Sequence, residues 1–254
     1  MIAVAGAEWT RFWTVRSTYW AMLGAGAMMG LAGTTLGADA ATNNLRGFAA
    51  TQPVIDGAVF FAFGIVALAM LGVTAEYASG GIRPTLQAVP RRGRLLAARS
   101  LVVAGIVGVA TAVCGLITAF AVWGLLRVEP FDGAAVLPPA EMADDLLRLG
   151  CFGAMIALLT IGVSFALRSS AGTLTVLFLL LAGAPLLIAM TGSEVLIEVS
   201  LRMPLFAGLM FMGSVNTPAG PEFAYSAPEG FAWLAAWTVA GLAIGYAELR
   251  RRDA

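Results

Sequence analysis

Six stretches of the chain carry no Asp, Glu or Arg: residues 19–36, 57–74, 101–126, 149–167, 173–192 and 230–247. Each is 18 to 26 residues long. A bilayer core about 30 Å thick is crossed by roughly 20 helical residues, so each stretch is long enough to span. None alternates apolar with polar positions as a barrel strand does, and only a helix satisfies its own backbone amides in lipid. The pattern predicts an all-α polytopic membrane protein with six transmembrane helices.

The connections between these stretches are not equivalent. One alternate set, 1–18, 75–100, 168–172 and 248–254, holds eleven arginines and four acids. The other, 37–56, 127–148 and 193–229, holds four arginines and eleven acids. By the positive-inside rule the arginine-rich set is cytoplasmic, which predicts an N-in/C-in topology. The formal net charge of zero therefore conceals a polarity across the membrane, and nothing in it points to nucleic acid. With 254 residues and 59% hydrophobic content, residues 1–254 read as a single transmembrane domain with no separate soluble one.

Composition removes several chemistries. The chain has no His, and all 15 of its basic residues are Arg. A P-loop needs Lys, so the chain has no phosphate-cradling site of that type; His-based metal sites and His-assisted hydrolysis are equally excluded. No G-x-S-x-G turn marks a serine nucleophile, which leaves an intramembrane enzyme without a reacting group. Cys114 and Cys151 fall in the third and fourth stretches and read as small apolar residues. Arg11 and Arg16 precede an apolar run ending near Ala38-Asp39-Ala40, a pattern that a cleaved signal peptide would share. The long, aromatic leader favours retention of that run as a helix.

Two arginine-rich segments carry further structure. In residues 7–18 and just beyond, Trp9, Phe12, Trp13 and Trp20 recur at helical spacing, which suits an amphipathic interfacial helix or, equally, an aromatic belt for the first span. The connection after the second span is bounded by Gly80-Gly81 and Pro90, with Pro84 suited to a first helical turn, and implies a short helix around 82–89. Its Ile82, Leu86 and Val89 form an apolar stripe expected to be exposed, against which either the bundle or a cytoplasmic partner lies; a positive-inside loop with an incidental helix explains it as well.

The opening Glu8-Trp-Thr-Arg-Phe-Trp-Thr-Val-Arg-Ser-Thr-Tyr-Trp20 combines with Glu76-Tyr77-x-x-Gly80-Gly81-Ile82-Arg83-x-Thr85-Leu86-x-x-x-Pro90-x-Arg92-x-x-Leu95. Together they resemble the permease subunits of type 2 ATP-binding cassette (ABC) exporters. The resemblance implies that residues 81–90 form a cytoplasmic coupling helix docking on a separate ATPase subunit. Glu76, Gly81, Ile82, Arg83, Leu86, Val89, Pro90, Arg91 and Arg92 would serve this coupling. Glu76 would pair with an arginine at the end of the second span, Arg83 or Arg99. It also implies two ATPase copies binding ATP and Mg, no cofactor on this chain, and a second permease, identical or paralogous. The setting would be a bacterial plasma (inner) membrane.

Residues 193–213 are too polar at their start for a span and too apolar for a loop, and two short helices broken at Pro204 fit them. The resemblance makes this an outer re-entrant hairpin. Met203, Met210 and Met212 suit apolar filler better than a Cu(I) site. The pairs Gly26/Gly30, Gly33/Gly37 and Gly241/Gly245 permit close helix approach, within the chain or at a dimer seam. With no ionisable residue inside a stretch, the pathway is expected to be apolar and to carry hydrophobic or amphipathic cargo. The resemblance assigns it to the second and fifth spans, which nominates Phe60, Phe63, Thr175 and Phe178. The competing readings are a membrane accessory or sensor subunit without transport, and a passive channel, though no polar filter is evident.

Overall fold

The computed structural model describes residues 2–82, 84, 87, 92–129, 131, 133–214 and 225–251. Among them, six helices are long and apolar enough to cross a membrane: Arg16–Thr42, Ala58–Ser79, Arg92–Leu125, Pro139–Leu167, Ser170–Ala189 and Ala227–Arg251. The chain is an all-α polytopic membrane protein. These helices, the first to sixth spans below, overrun the apolar stretches at their ends, because helical geometry continues into charged residues that the hydropathy pattern assigns to connections. The third span begins at Arg92 and takes in Arg94 and Arg99; the fourth begins at Pro139 and takes in Asp144, Asp145 and Arg148.

The second and fourth spans form the centre of the bundle. Of their most apolar windows, 56% and 67% of residues are buried, against 22–28% for the first, fifth and sixth, which face outward. Phe61 and Phe152 meet edge to face across the centre at 6.4 Å. With no hydrophobic drive between helices in lipid, close approach depends on small residues, and the contacts show where. A Cβ at Gly162 would lie 2.3 Å from the Gly241 carbonyl oxygen, and one at Gly245 would lie 2.4 Å from that of Gly162. The Gly241/Gly245 pair thus seals the fourth and sixth spans within one chain. Gly33 and Gly37 press on Thr118 and Val122 of the third span, whereas Gly30 has nothing within 4 Å.

A separate helix, Ile2–Thr14, precedes the first span. The single helix expected to carry all four aromatics is interrupted: Val15 is extended (φ −90°, ψ 117°), so Trp20 belongs to the first span and not to the helix of Trp9, Phe12 and Trp13. The break follows the β-branched pair Thr14-Val15, and the Tyr19 hydroxyl caps the freed Trp13 carbonyl at 2.8 Å.

At the acid-rich end, two short strands, β1 (Phe48–Ala49) and β2 (Ala135–Val136), pair in parallel and bind the first and third connections together. A short helix, Gln52–Asp56, follows β1. Between the fifth and sixth spans, helices Glu194–Leu201 and Pro204–Met212 meet at 75°. Met203 is extended and Pro204 starts the second helix, as the break at proline predicts. Met210 and Met212 of that helix are buried among apolar side chains, as filler.

Candidate functional site

The strongest concentration of buried charge lies at the arginine-rich end, where the amino-terminal helix crosses the second and third spans. Helical spacing sets Glu8, Arg11 and Phe12 of that helix on the face toward the bundle, and Phe12 is buried there. Arg99, one and a half to two turns inside the third span, is 1% exposed. Its guanidinium donates Nε and Nη2 to the two oxygens of Glu8, both at 2.8 Å, and Nη1 to Glu76 Oε2 at 2.8 Å. The fork geometry of arginine makes this two-carboxylate grip possible; lysine would offer only a point charge.

Arg11 closes the ring. It donates Nη1 to the second oxygen of Glu76 and Nη2 to the Gly72 carbonyl at 3.0 Å. Two arginines and two glutamates thus neutralise one another and join three helices. Burial holds the Arg11 guanidinium below its ordinary value, the nearby positive Arg99 acts in the same sense, and Glu76 and Glu8 oppose both. Arg11 remains charged at any physiological pH. The ring also reaches the fourth span: Arg99 sits over the Phe165 face at 5.6 Å, Phe165 meets Tyr77 edge to face, and Arg168 lies over Tyr77 at 5.3 Å.

Of the two arginines expected for Glu76, Arg99 is a partner, while Arg83 lies outside the described residues. Arg11 and Glu8 were not foreseen as partners. Glu8 stands 91 residues from Arg99, and only its place beside Arg11 on one helical face hinted at a shared task.

The segment after the second span starts from this ring. Gly80 closes the span in the left-handed region (φ 72°), a conformation that costs glycine nothing, and donates to the Tyr77 carbonyl. Gly81 follows as a turn, and Ile82, Pro84 and Gln87 are helical positions. Ile82, the one member of the apolar stripe among the described residues, is 4% exposed and so is covered. Pro84 and Gln87 are exposed. Arg83, Leu86, Val89, Pro90 and Arg91 lie outside the described residues. Arg92 opens the third span and donates to the Leu249 carbonyl at 2.6 Å, tying that span to the sixth.

The nominated pathway residues are brought together only in part. Phe63 of the second span and Phe178 of the fifth stack at 5.6 Å, tilted by 38°. Phe60 and Phe178 are about half exposed and Thr175 is exposed, so these side chains sit on the outside of a single chain. Just beyond them, Leu179–Gly183 is a π-helical segment and Ala184 donates to the Leu179 carbonyl five residues back. The physical cause is Pro185: its ring would strike the Leu181 carbonyl in a regular helix, and the wider turn moves that carbonyl away.

The acid-rich end is held by neutral and charged hydrogen bonds. Ser214 donates to Asp56 at 2.7 Å, Thr51 donates to Asp145, and Arg148 donates to the Phe211 carbonyl at 3.2 Å. At the end of helix Glu194–Leu201, Tyr225 donates to the Leu201 carbonyl at 2.6 Å and Trp237 of the sixth span donates to that of the capping residue Arg202 at 2.8 Å. Arg202 pairs with Glu198 at 2.8 Å. Among the described residues no cluster of three or more His, Cys, Asp or Glu is placed to hold a metal ion, and both cysteines are free.

No protein-family model matches the chain, and no curated protein matches it either.

Proposed function

We propose that the chain is the permease subunit of a type 2 ABC exporter, moving hydrophobic or amphipathic cargo outward across a plasma membrane with energy from separate ATPase subunits. The observation that carries this reading is the ring of Glu8, Arg11, Glu76 and Arg99. It makes the amino-terminal helix and the ends of the second and third spans one mechanical unit, and residues 81–90 connect those two spans. A push on that connection from a partner would be delivered to three helices at once, which is what alternating access by rigid-body motion requires.

In this reading the arginine-rich end is cytoplasmic, residues 81–90 form the coupling helix, and its exposed positions contact the ATPase. The bent pair Glu194–Leu201 and Pro204–Met212 is the outer re-entrant hairpin. Two permeases, identical or paralogous, and two ATPase subunits make the complex. Phe60, Thr175 and Phe178, exposed on a single chain, and the half-buried Phe63 then line a pathway between the two permeases. The apolar character of that face suits apolar cargo.

The test is co-purification of the full chain with the ATPase encoded beside it, with ATP-dependent export of a hydrophobic dye in vesicles. Leu86→Pro and the pair Arg91→Glu, Arg92→Glu are expected to release the ATPase or uncouple its hydrolysis from export. Unchanged association and unchanged export in both variants would overturn the reading.

A further inference from the structure

A crevice opens where the amino-terminal helix and the start of the first span meet the second span. The small residues Ala69, Gly72 and Ala75, on one face of the second span, line one side of it, and the break at Val15 lines the other. A Cβ at Gly72 would meet nothing within 4 Å, so the fold leaves open the space a side chain would fill. The crevice holds about 60 Å³. That is several times the roughly 10–15 Å³ that one water needs.

The lining is charged and polar as well as apolar: Arg11, Arg99, Ser17 and Thr18 all border the crevice. Arg99 engages Glu8 and Glu76 with all three of its nitrogens. Arg11 gives Nη1 to Glu76 and Nη2 to the Gly72 carbonyl, which leaves its Nε without a partner among the described residues. Its side chain is 29% exposed. Ser17 is exposed and Thr18 half-buried, and neither hydroxyl makes a hydrogen bond among the described residues. Three donors open at one place suit a group with several acceptor oxygens. Charge points the same way. Arg16, seated between the lining residues Val15 and Ser17, is exposed and has no acidic partner among the described residues. Arg11, Arg16 and Arg99 against Glu8 and Glu76 leave one positive charge in excess. Tyr19 and Trp20, exposed just beyond, are residue types that favour the headgroup layer. Leu68 and Val103 line the crevice one turn deeper in their spans than Gly72 and Arg99, and give it an apolar end.

We propose that this crevice binds the headgroup of one anionic phospholipid. The phosphodiester oxygens accept from Arg11 Nε and from the hydroxyls of Ser17 and Thr18, and the excess positive charge contributed by Arg16 balances the single negative charge. The start of an acyl chain passes over Gly72 toward Leu68 and Val103. The attraction of a net-positive site for an anionic headgroup is electrostatic, so a zwitterionic lipid of the same chain length binds less well. The site requires only that the chain spans a bilayer and is independent of any ATPase partner.

The experiment uses the full chain, delipidated in detergent and offered phosphatidylglycerol, phosphatidylcholine or inorganic phosphate, with retained adducts counted by native mass spectrometry. Phosphatidylglycerol is expected to be retained in preference to phosphatidylcholine, and free phosphate not to be retained. Arg16→Gln should weaken phosphatidylglycerol retention about fivefold and leave phosphatidylcholine unchanged. Gly72→Leu, which fills the crevice, should abolish the preference. Gly30→Leu, at a position equally open but away from the crevice, should leave it intact. Equal retention of the two lipids by the unaltered chain, a preference unchanged in Arg16→Gln or in a folded Gly72→Leu variant, or retention of inorganic phosphate as strong as that of phosphatidylglycerol would each overturn the proposal. Arg16 is exposed and outside the ion-pair ring, so its variant reads binding even where Gly72→Leu lowers the melting temperature.

Discussion

Arg99 has no water to solvate it, and its charge is balanced entirely by carboxylates from two other helices. Removing it leaves Glu8 and Glu76 facing each other, with Arg11 the remaining cation of the ring among the described residues. Arg99→Met is therefore expected to cost about 3–5 kcal/mol, read as a lower melting temperature of the detergent-solubilised protein. Arg11 has a side chain 29% exposed, and solvent already screens its pairing, so Arg11→Met should cost about 1 kcal/mol or less. Should the two variants melt alike, the ring would not be organised around Arg99. At this scale the sequence was partly readable. Arg99 is one of the two partners expected for Glu76, but neither Glu8 nor Arg11 is expected as a partner, since nothing local ties residue 8 to residue 99.

The elements owe their joints to single residues. Gly162 allows two backbones to touch, and Gly162→Ala is expected to destabilise the protein by about 1–3 kcal/mol or more because the neighbour is rigid backbone. Gly30→Ala, with open space around it, should be neutral or stabilise by up to about 1 kcal/mol in the same melting assay. The spacing G-x-x-x-G alone treats Gly30 and Gly245 identically; only packing separates them. In the fifth span, Pro185→Ala restores a backbone donor and removes the ring that displaces the Leu181 carbonyl. Amide exchange around residues 179–185 is expected to slow as the π-helical turn tightens. Faster exchange would show that the wide turn has a cause other than the proline. The break at Val15 was not legible, because no proline or glycine marks it; it comes from weak helix formers beside a helix already anchored by its ion pairs.

For the whole molecule, orientation is the first quantity to measure. In a background lacking Cys114 and Cys151, Gln87→Cys and Leu45→Cys place thiols on exposed positions at opposite ends of the bundle. A membrane-impermeant maleimide added to intact cells is expected to label position 45 and spare position 87 until the membrane is opened. The reverse pattern would place the arginine-rich end outside and remove the coupling reading with it. The outer faces of the first, fifth and sixth spans remain largely exposed on a single chain, whereas the second and fourth are enclosed.

The six spans and the charge asymmetry between their ends could be read from the residues because a bilayer imposes its demand on each segment separately. Every span must satisfy its own backbone and exclude its own charges, so about 20 consecutive residues decide the matter. The bent pair at Pro204 was legible for the same local reason. Which charges neutralise each other across helices, which glycines bear on a neighbouring backbone and that Ile82 is buried were decided only by the tertiary structure. Apart from helical pairs such as Glu198 and Arg202, the contacts that decide them join residues far apart in the chain, and no single segment shows both halves.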